Sequence, residues 1–169
     1  MITLITGGER SGKSHYAENL AKQLSDKPMY VATARKWDDD FQKRIDLHQK
    51  DRDEHWINIE KEKYLSEIDF TNKVAIIDCV TLWLTNFFVD TKNDVALSLE
   101  QAKIEIDAIA NQENATIIIV TNEIGMGVHA ETHIGRKFTE LQGWMNQYIA
   151  QKANTVVLMI SGIPVKIKG

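Results

Sequence analysis

Short runs of unbroken apolar residues alternate along this chain with longer stretches whose apolar positions recur at helical spacing. ITLIT (2–6), PMYVAT (28–33), VAIID (74–78), ATIIIVT (115–121) and TVVLMIS (155–161) are rich in β-branched residues and bounded by polar turns. Each reads as a buried strand. Helices are expected between them at 13–25, about 38–52, about 80–88, 95–112 and 132–153. Strands that alternate with helices and are apolar at successive positions imply a mainly parallel sheet with helices on both faces, the α/β class. In such sheets ligands bind at the carboxyl ends of the strands. The strand exits are therefore the places to look for chemistry.

The first exit carries the clearest signal. The strand runs into GGERSGKS, the pattern G-x-x-x-x-G-K-S made by Gly7, Gly8, Glu9, Arg10, Ser11, Gly12, Lys13 and Ser14, and a helix follows at once. That strand–loop–helix setting is what a phosphate-binding loop requires. Glycines let backbone N–H groups converge on phosphate oxygens, and the helix N-terminus adds favourable partial charge. Lys13 would reach the β- and γ-phosphates and Ser14 would hold Mg²⁺. The chain reads as a binder of nucleoside triphosphate.

Other exits are more equivocal. VAIID ends at Asp78, in the position of an acid that emerges toward the ion on Ser14, or of a cap for the next helix. Thr33, Ala34 and Arg35 suit a sugar or phosphates, and suit an ordinary turn nearly as well. Thr121, Asn122 and Glu123 lead into a loop with Gly125 and Gly127, which fits either a substrate-orienting exit with a mobile cover or a polar turn.

The segment DDDFQKRIDLHQKDRDEHW places Arg44, His48 and Arg52 at i, i+4, i+8 along one helix face, behind the acidic start Asp38–Asp40. Two guanidiniums there can grip phosphate oxygens and disfavour imidazolium, leaving His48 neutral and nucleophilic. The other reading of the same spacing is a solvated helix face. His15, His55, His129 and His133 lack any such setting.

Composition narrows the class. With 169 residues and no linker or low-complexity stretch, one domain spanning 1–169 is expected. A net charge of −4 argues against a dedicated nucleic-acid binder. One cysteine, Cys79, excludes an internal disulfide, and no apolar run approaches the length of a membrane span. The chain enters its first strand without a basic leader, so a cytoplasmic enzyme is expected.

Five stretches in one order, GGERSGKS, RIDLHQKDRDEHW, VAIIDCVTLWLTN, VTNEIGMG and SGIPVKIKG, together resemble one family over residues 1–168. It is the bifunctional cobinamide kinase and cobinamide-phosphate guanylyltransferase of adenosylcobalamin biosynthesis. The resemblance implies a RecA-like P-loop NTPase fold and two reactions. Adenosylcobinamide is phosphorylated with ATP or GTP. GMP from GTP then passes through a histidine-bound intermediate to adenosylcobinamide phosphate, giving adenosyl-GDP-cobinamide.

The family's R-I-x-x-H-x-x-x-R pattern matches Arg44, Ile45, His48 and Arg52, which makes His48 the implied nucleophile. Implied nucleotide contacts are the phosphate loop, Thr33, Ala34, Arg35, Gln49, Lys50, Asp51, Arg52, Glu60 and Asp78, with Ser14 and Asp78 on Mg²⁺. Gly143, Asn146 and Gln147 match a G-x-x-N-Q run expected to serve helix packing. A homotrimer is implied as well. One departure stands out: after VTNEIGMG many members carry a proline-containing I-V-P stretch, whereas this chain reads VHAETHIGRKF. A single-activity P-loop kinase acting on a small molecule is the alternative.

Overall fold

A strand that is apolar on both faces is stable only where both are covered, and the five apolar runs of this chain lie side by side in the middle of one sheet. The computed structural model describes residues 1–35 and 55–169. The helix expected at 38–52 therefore lies outside the described residues, and with it Arg44, His48, Gln49, Lys50, Asp51 and Arg52.

In chain order the elements are β1 (Ile2–Gly7), α1 (Lys13–Leu24), β2 (Met29–Ala32), β3 (Ile57–Glu60), a 3-10 turn (Leu65–Glu67), β4 (Val74–Asp78) and α2 (Val80–Asp90). There follow α3 (Val95–Ala110), β5 (Thr116–Val120), α4 (His133–Lys152), β6 (Thr155–Ile160) and β7 (Ile163–Lys168). The sheet order is β3-β2-β4-β5-β1-β6-β7. The first six strands pair in parallel, and only β7 runs antiparallel, against β6.

Alternation along each strand divides the core. Leu4, Val31, Ile77, Ile117 and Ile119 face one way, onto Trp83, Leu84 and Phe87 of α2, Ile106 of α3 and Leu141 and Met145 of α4. Trp83 is fully buried, stands edge-on to Phe87 and donates its indole N–H to the Lys63 carbonyl at 2.7 Å. Ile5, Tyr30, Ile76, Ile118, Val120 and Val157 face the other way, where α1 lies. Ala17 and Ala21, one turn apart on α1, are fully buried; their small side chains let the helix backbone lie close to the sheet. Both faces are covered, as the unbroken apolar runs predicted.

Two strands depart from the expectation. β3 (INIE) and β7 (IPVKIK) lie at the two edges and are mostly exposed, so neither carries the apolar signature of a central strand. β7 closes a two-residue hairpin on Ser161 and Gly162, whose φ values of 51° and 84° fit a type I′ turn. The helix expected at 95–112 stops at Ala110, and that at 80–88 runs on to Asp90.

Register brings one row of residues to the carboxyl edge. Glu60 lies beside Ala32, Ala32 beside Asp78, Asp78 beside Val120, Val120 beside Ile5, and Ile5 beside Val157. Parallel neighbours in register share a face, so Glu60 and Asp78 both stand on the α1 side.

Candidate active site

The loop between β1 and α1 is shaped by contacts that leave little room for side chains at Gly7 and Gly12. A Cβ on Gly7 would lie 2.6 Å from the Met159 carbonyl oxygen and 2.7 Å from Ser11 Oγ. Gly12, at φ +92°, passes so close to the hairpin that its Cβ would meet Gly162 Cα at 3.3 Å. Arg10 turns the loop in the left-handed region at φ 52°. The Gly162 N–H donates to the Ser11 carbonyl at 3.0 Å, so the turn after β6 props the loop from behind.

Inside this loop Lys13 is 7% exposed, and its ammonium donates to the Gly8 carbonyl at 2.6 Å. Burial lowers its pKa below the ordinary lysine value, against the opposing pull of Cys79, Glu9 and Asp78. An ammonium has three donors, so two remain for an anion. The Ser11 hydroxyl is buried and, among the described residues, has no hydrogen-bond partner. A phosphate oxygen seated in the loop would satisfy it.

Asp78 meets this loop from the far side of β5. It accepts from Ser14 Oγ at 2.9 Å and from the Tyr30 hydroxyl at 2.6 Å, both on Oδ2. A hydroxyl and a carboxylate at this distance form a hard-oxygen pair of the kind Mg²⁺ takes beside a nucleotide's phosphates. No group of three or more His, Cys, Asp or Glu side chains among the described residues makes a self-sufficient metal cluster. The helix-cap reading of Asp78 does not hold, because α2 is capped by Cys79, without a side-chain bond. The Cys79 thiol is buried and pushed up to about 12, chiefly by burial and then by the Asp78 charge, which keeps it protonated.

The β2 exit is tied to the β4 exit. Thr33 is fully buried; its hydroxyl donates to the Cys79 carbonyl at 2.8 Å and its N–H to the Asp78 carbonyl at 3.1 Å. Asn86 of α2 bridges the Thr33 and Glu62 carbonyls, each at 2.8 Å. Ala34 follows, half-buried. Arg35 is gripped by Glu62 at 2.7 Å and by both oxygens of Asp90 at 2.8 and 3.1 Å, and Lys63 also reaches Asp90 at 2.6 Å. These bonds hold the Asp90 carboxyl well below the usual range and raise Arg35 above its own. Glu60 is exposed at the end of β3, with β2 between it and Asp78, roughly 10 Å away across two strand spacings.

The β5 exit is a buried polar node. Thr121 donates to Asn146 Oδ1 at 2.7 Å, Gln142 donates to both, and Asn146 donates to the Asn122 carbonyl at 3.1 Å. Asn146 thus anchors a strand exit as well as packing its helix. Glu123 accepts from the Gly125 N–H at 2.9 Å, as a polar turn would, while its own N–H donates to the Gly7 carbonyl at 2.9 Å.

The structure therefore brings together Gly7 to Ser14, Asp78 and Thr33, places Glu60 on the same edge, and turns Arg35 toward an acidic pair. Tyr30, Asn86 and Gly162 went unnoticed in the sequence. A tyrosine in PMYVAT and an asparagine in VTLWLTN carry no local signal of their partners, whereas Ser-Gly between two apolar runs was a readable hairpin cue.

A phosphate loop on β1, an acid on β4 and β5 inserted between them make this a RecA-like P-loop fold. The profile of the family described as cobinamide kinase / cobinamide phosphate guanyltransferase matches residues 3–167. The chain belongs to this family. It is 38% identical to the bifunctional adenosylcobalamin biosynthesis protein CobU of Escherichia coli, over 99% of this chain and 100% of that one. Identity to the protein of the same name from Salmonella typhimurium is also 38%, with the same coverage. The bifunctional adenosylcobalamin biosynthesis protein CobP of Pseudomonas aeruginosa is 33% identical over 100% of this chain and 98% of its own.

Among solved structures, the flagellar accessory protein FlaH of Methanocaldococcus jannaschii aligns at TM-score 0.49 and 16% identity, over 99% of this chain and 77% of that one. The P4 protein of bacteriophage phi6 in complex with ADP aligns at 0.46 and 12%, over 96% and 52%.

Proposed function

We propose that this chain carries out both reactions of its family at one nucleotide site, with His48 as the residue that carries GMP. The observation that supports a single site most directly is the 2.9 Å bond from Ser14 to Asp78 beside the buried Lys13. It joins the loop that holds the phosphates to a carboxylate on another strand.

In the kinase step the aminopropanol hydroxyl of adenosylcobinamide attacks the γ-phosphorus of ATP or GTP. The bond to the β-phosphate oxygen breaks, the nucleoside diphosphate leaves and the hydroxyl proton is released. In the second reaction a ring nitrogen of His48 attacks the α-phosphorus of GTP in line, from roughly 3–3.5 Å, and pyrophosphate leaves. A phosphate oxygen of adenosylcobinamide phosphate then displaces the imidazole, so that the P–N bond breaks as the new P–O bond forms. Lys13 and the loop N–H groups hold the phosphates in both steps. Ser14 and Asp78 would hold Mg²⁺, which supplies charge neutralisation at the phosphate oxygens when bound.

Ala34, Gln49, Lys50, Asp51, Arg52 and Glu60 are read as nucleotide contacts around this frame, whereas Thr33, fully buried with its hydroxyl, N–H and carbonyl all bonded within the chain, shapes the strand exit instead. Arg35 is read as a nucleotide contact too, with its guanidinium oriented by Glu62 and Asp90. Adenosylcobinamide and its phosphate are the small-molecule partners, and the cytoplasm is the proposed compartment. No described helix is long and apolar enough to cross a membrane. A homotrimer is proposed as the assembly; exposed Ile160, Ile163, Val165 and Ile167 along the outer strands support a protein-covered surface there.

Incubation with Mg²⁺ and α-labelled GTP, followed by adduct mapping, tests the assignment. Wild type should carry an acid-labile label on His48. His48→Ala should lose the label yet still phosphorylate adenosylcobinamide from γ-labelled nucleotide. Labelling should fall in acid as the imidazole protonates and loses its lone pair. Label retained on another residue, or a rate flat from about pH 5 to 8, would overturn the role of His48. No label in wild type, with phosphorylation intact, would leave the single-activity kinase.

A further inference from the structure

Tyr30 lies in β2 with 4% of its surface exposed, edge-on to the Trp56 ring at 5.9 Å between centroids. Its register partner is Ile76, two residues before Asp78 on the same face of β4. Two residues of strand span roughly 7 Å, a distance the phenol ring bridges, and its hydroxyl meets Asp78 Oδ2 at 2.6 Å. Packing alone would be served equally well by phenylalanine. The hydroxyl therefore has a separate role, and its recipient is the carboxylate that also takes Ser14.

We infer that Tyr30 is a positioning residue for the cation site, fixing the Asp78 carboxylate through its hydroxyl. Two donors on Oδ2, arriving from β2 and from α1, set the rotation of the carboxylate and leave Oδ1 to the cation or its water. Ser14 alone would be a weaker guide, because the same hydroxyl must offer a lone pair to the cation. Partners that orient a ligand in this way typically affect metal affinity or activity by about 10- to 100-fold. The inference rests on the reading of Asp78 as the carboxylate of the Mg²⁺ site.

The test compares wild type with Tyr30→Phe, Tyr30→Leu and Asp78→Asn. Binding of Mn²⁺ to the GTP-loaded protein is followed by the spin signal of the free ion, Mg²⁺ dependence by the kinase rate, and folding by thermal melts. Tyr30→Phe should weaken Mn²⁺ binding and raise the half-saturating Mg²⁺ by about tenfold. KM for GTP at saturating Mg²⁺ should stay within about twofold of wild type, because the loop is untouched. Tyr30→Leu should match it in cation affinity and melt lower, since it also loses the ring. Wild-type affinity in the Phe variant with loss only in the Leu variant would reduce Tyr30 to packing and overturn the inference. Unchanged affinity in Asp78→Asn would refute the Asp78 reading itself, and the inference with it.

Discussion

Gly7→Ala places a methyl group where the structure has none to spare. The new Cβ would stand 2.6 Å from the Met159 carbonyl oxygen and 2.7 Å from Ser11 Oγ, at φ +155°. Ser11 can rotate, but Met159 is backbone paired with Gly7 in the β1–β6 ladder and cannot withdraw alone. Overpacking of this kind costs about 1–3 kcal/mol, and a strained backbone conformation about as much again. A total of about 3 kcal/mol follows. Expressed as global stability it lowers Tm by about 6–12 °C for a chain of this size. Relieved instead by moving the loop, it weakens nucleotide binding by about a hundredfold.

The assay is titration with a fluorescent GTP analogue beside thermal melts. Gly8→Ala is the control, because its Cβ would meet nothing within 4 Å, and it should stay within about 0.5 kcal/mol of wild type on both readouts. Wild-type affinity and melting in Gly7→Ala, or equal damage from Gly8→Ala, would refute the steric account of the loop.

Asn146→Ala would take from the Thr121 hydroxyl its acceptor, from the Gln142 amide one of its two partners and from the Asn122 carbonyl its side-chain donor, all in one polar node. It should lower unfolding free energy by about 2–4 kcal/mol, read from urea midpoints at constant slope; a loss below about 0.5 kcal/mol would show that the node is not cooperative. Asp90→Asn should cost about 1 kcal/mol at pH 7, screened because the pair is partly exposed. Arg35, then Lys63, hold the Asp90 carboxyl below its ordinary value, so its stabilisation is complete above the unfolded pKa of about 3.9 and fades as pH falls toward the folded one. The melting gap between variant and wild type should therefore narrow below about pH 4. A gap constant from neutral pH to pH 3 would contradict the ion-pair account.

Legibility followed distance along the chain. The phosphate loop was readable because its parts are close in sequence: Gly7 and Gly12 act through backbone geometry, and Lys13 and Ser14 through side chains that follow at once. Asp78 was readable only as one of two options, since choosing between an ion site and a helix cap requires knowing that β4 lies one strand away from β1. Asn146 looked like helix packing because a polar residue on a helix gives no sign of a threonine waiting on a strand. Arg35 gave no sign of its partner Asp90, 55 residues on. β3 and β7 escaped notice because edge strands need no apolar face.

Residue order alone was enough for the α/β class, the central strands, the phosphate loop and the family, because hydrophobic period and close spacing act locally and survive without any knowledge of neighbours. Tertiary structure chose which strands became adjacent. It thereby decided that Ser14 and Tyr30 share one oxygen of Asp78, that the Ser161–Gly162 turn props the loop, and that Thr33 is locked to Cys79. Hydrogen bonds reach about 3 Å, and only the packing of a parallel sheet brings groups tens of residues apart within that range.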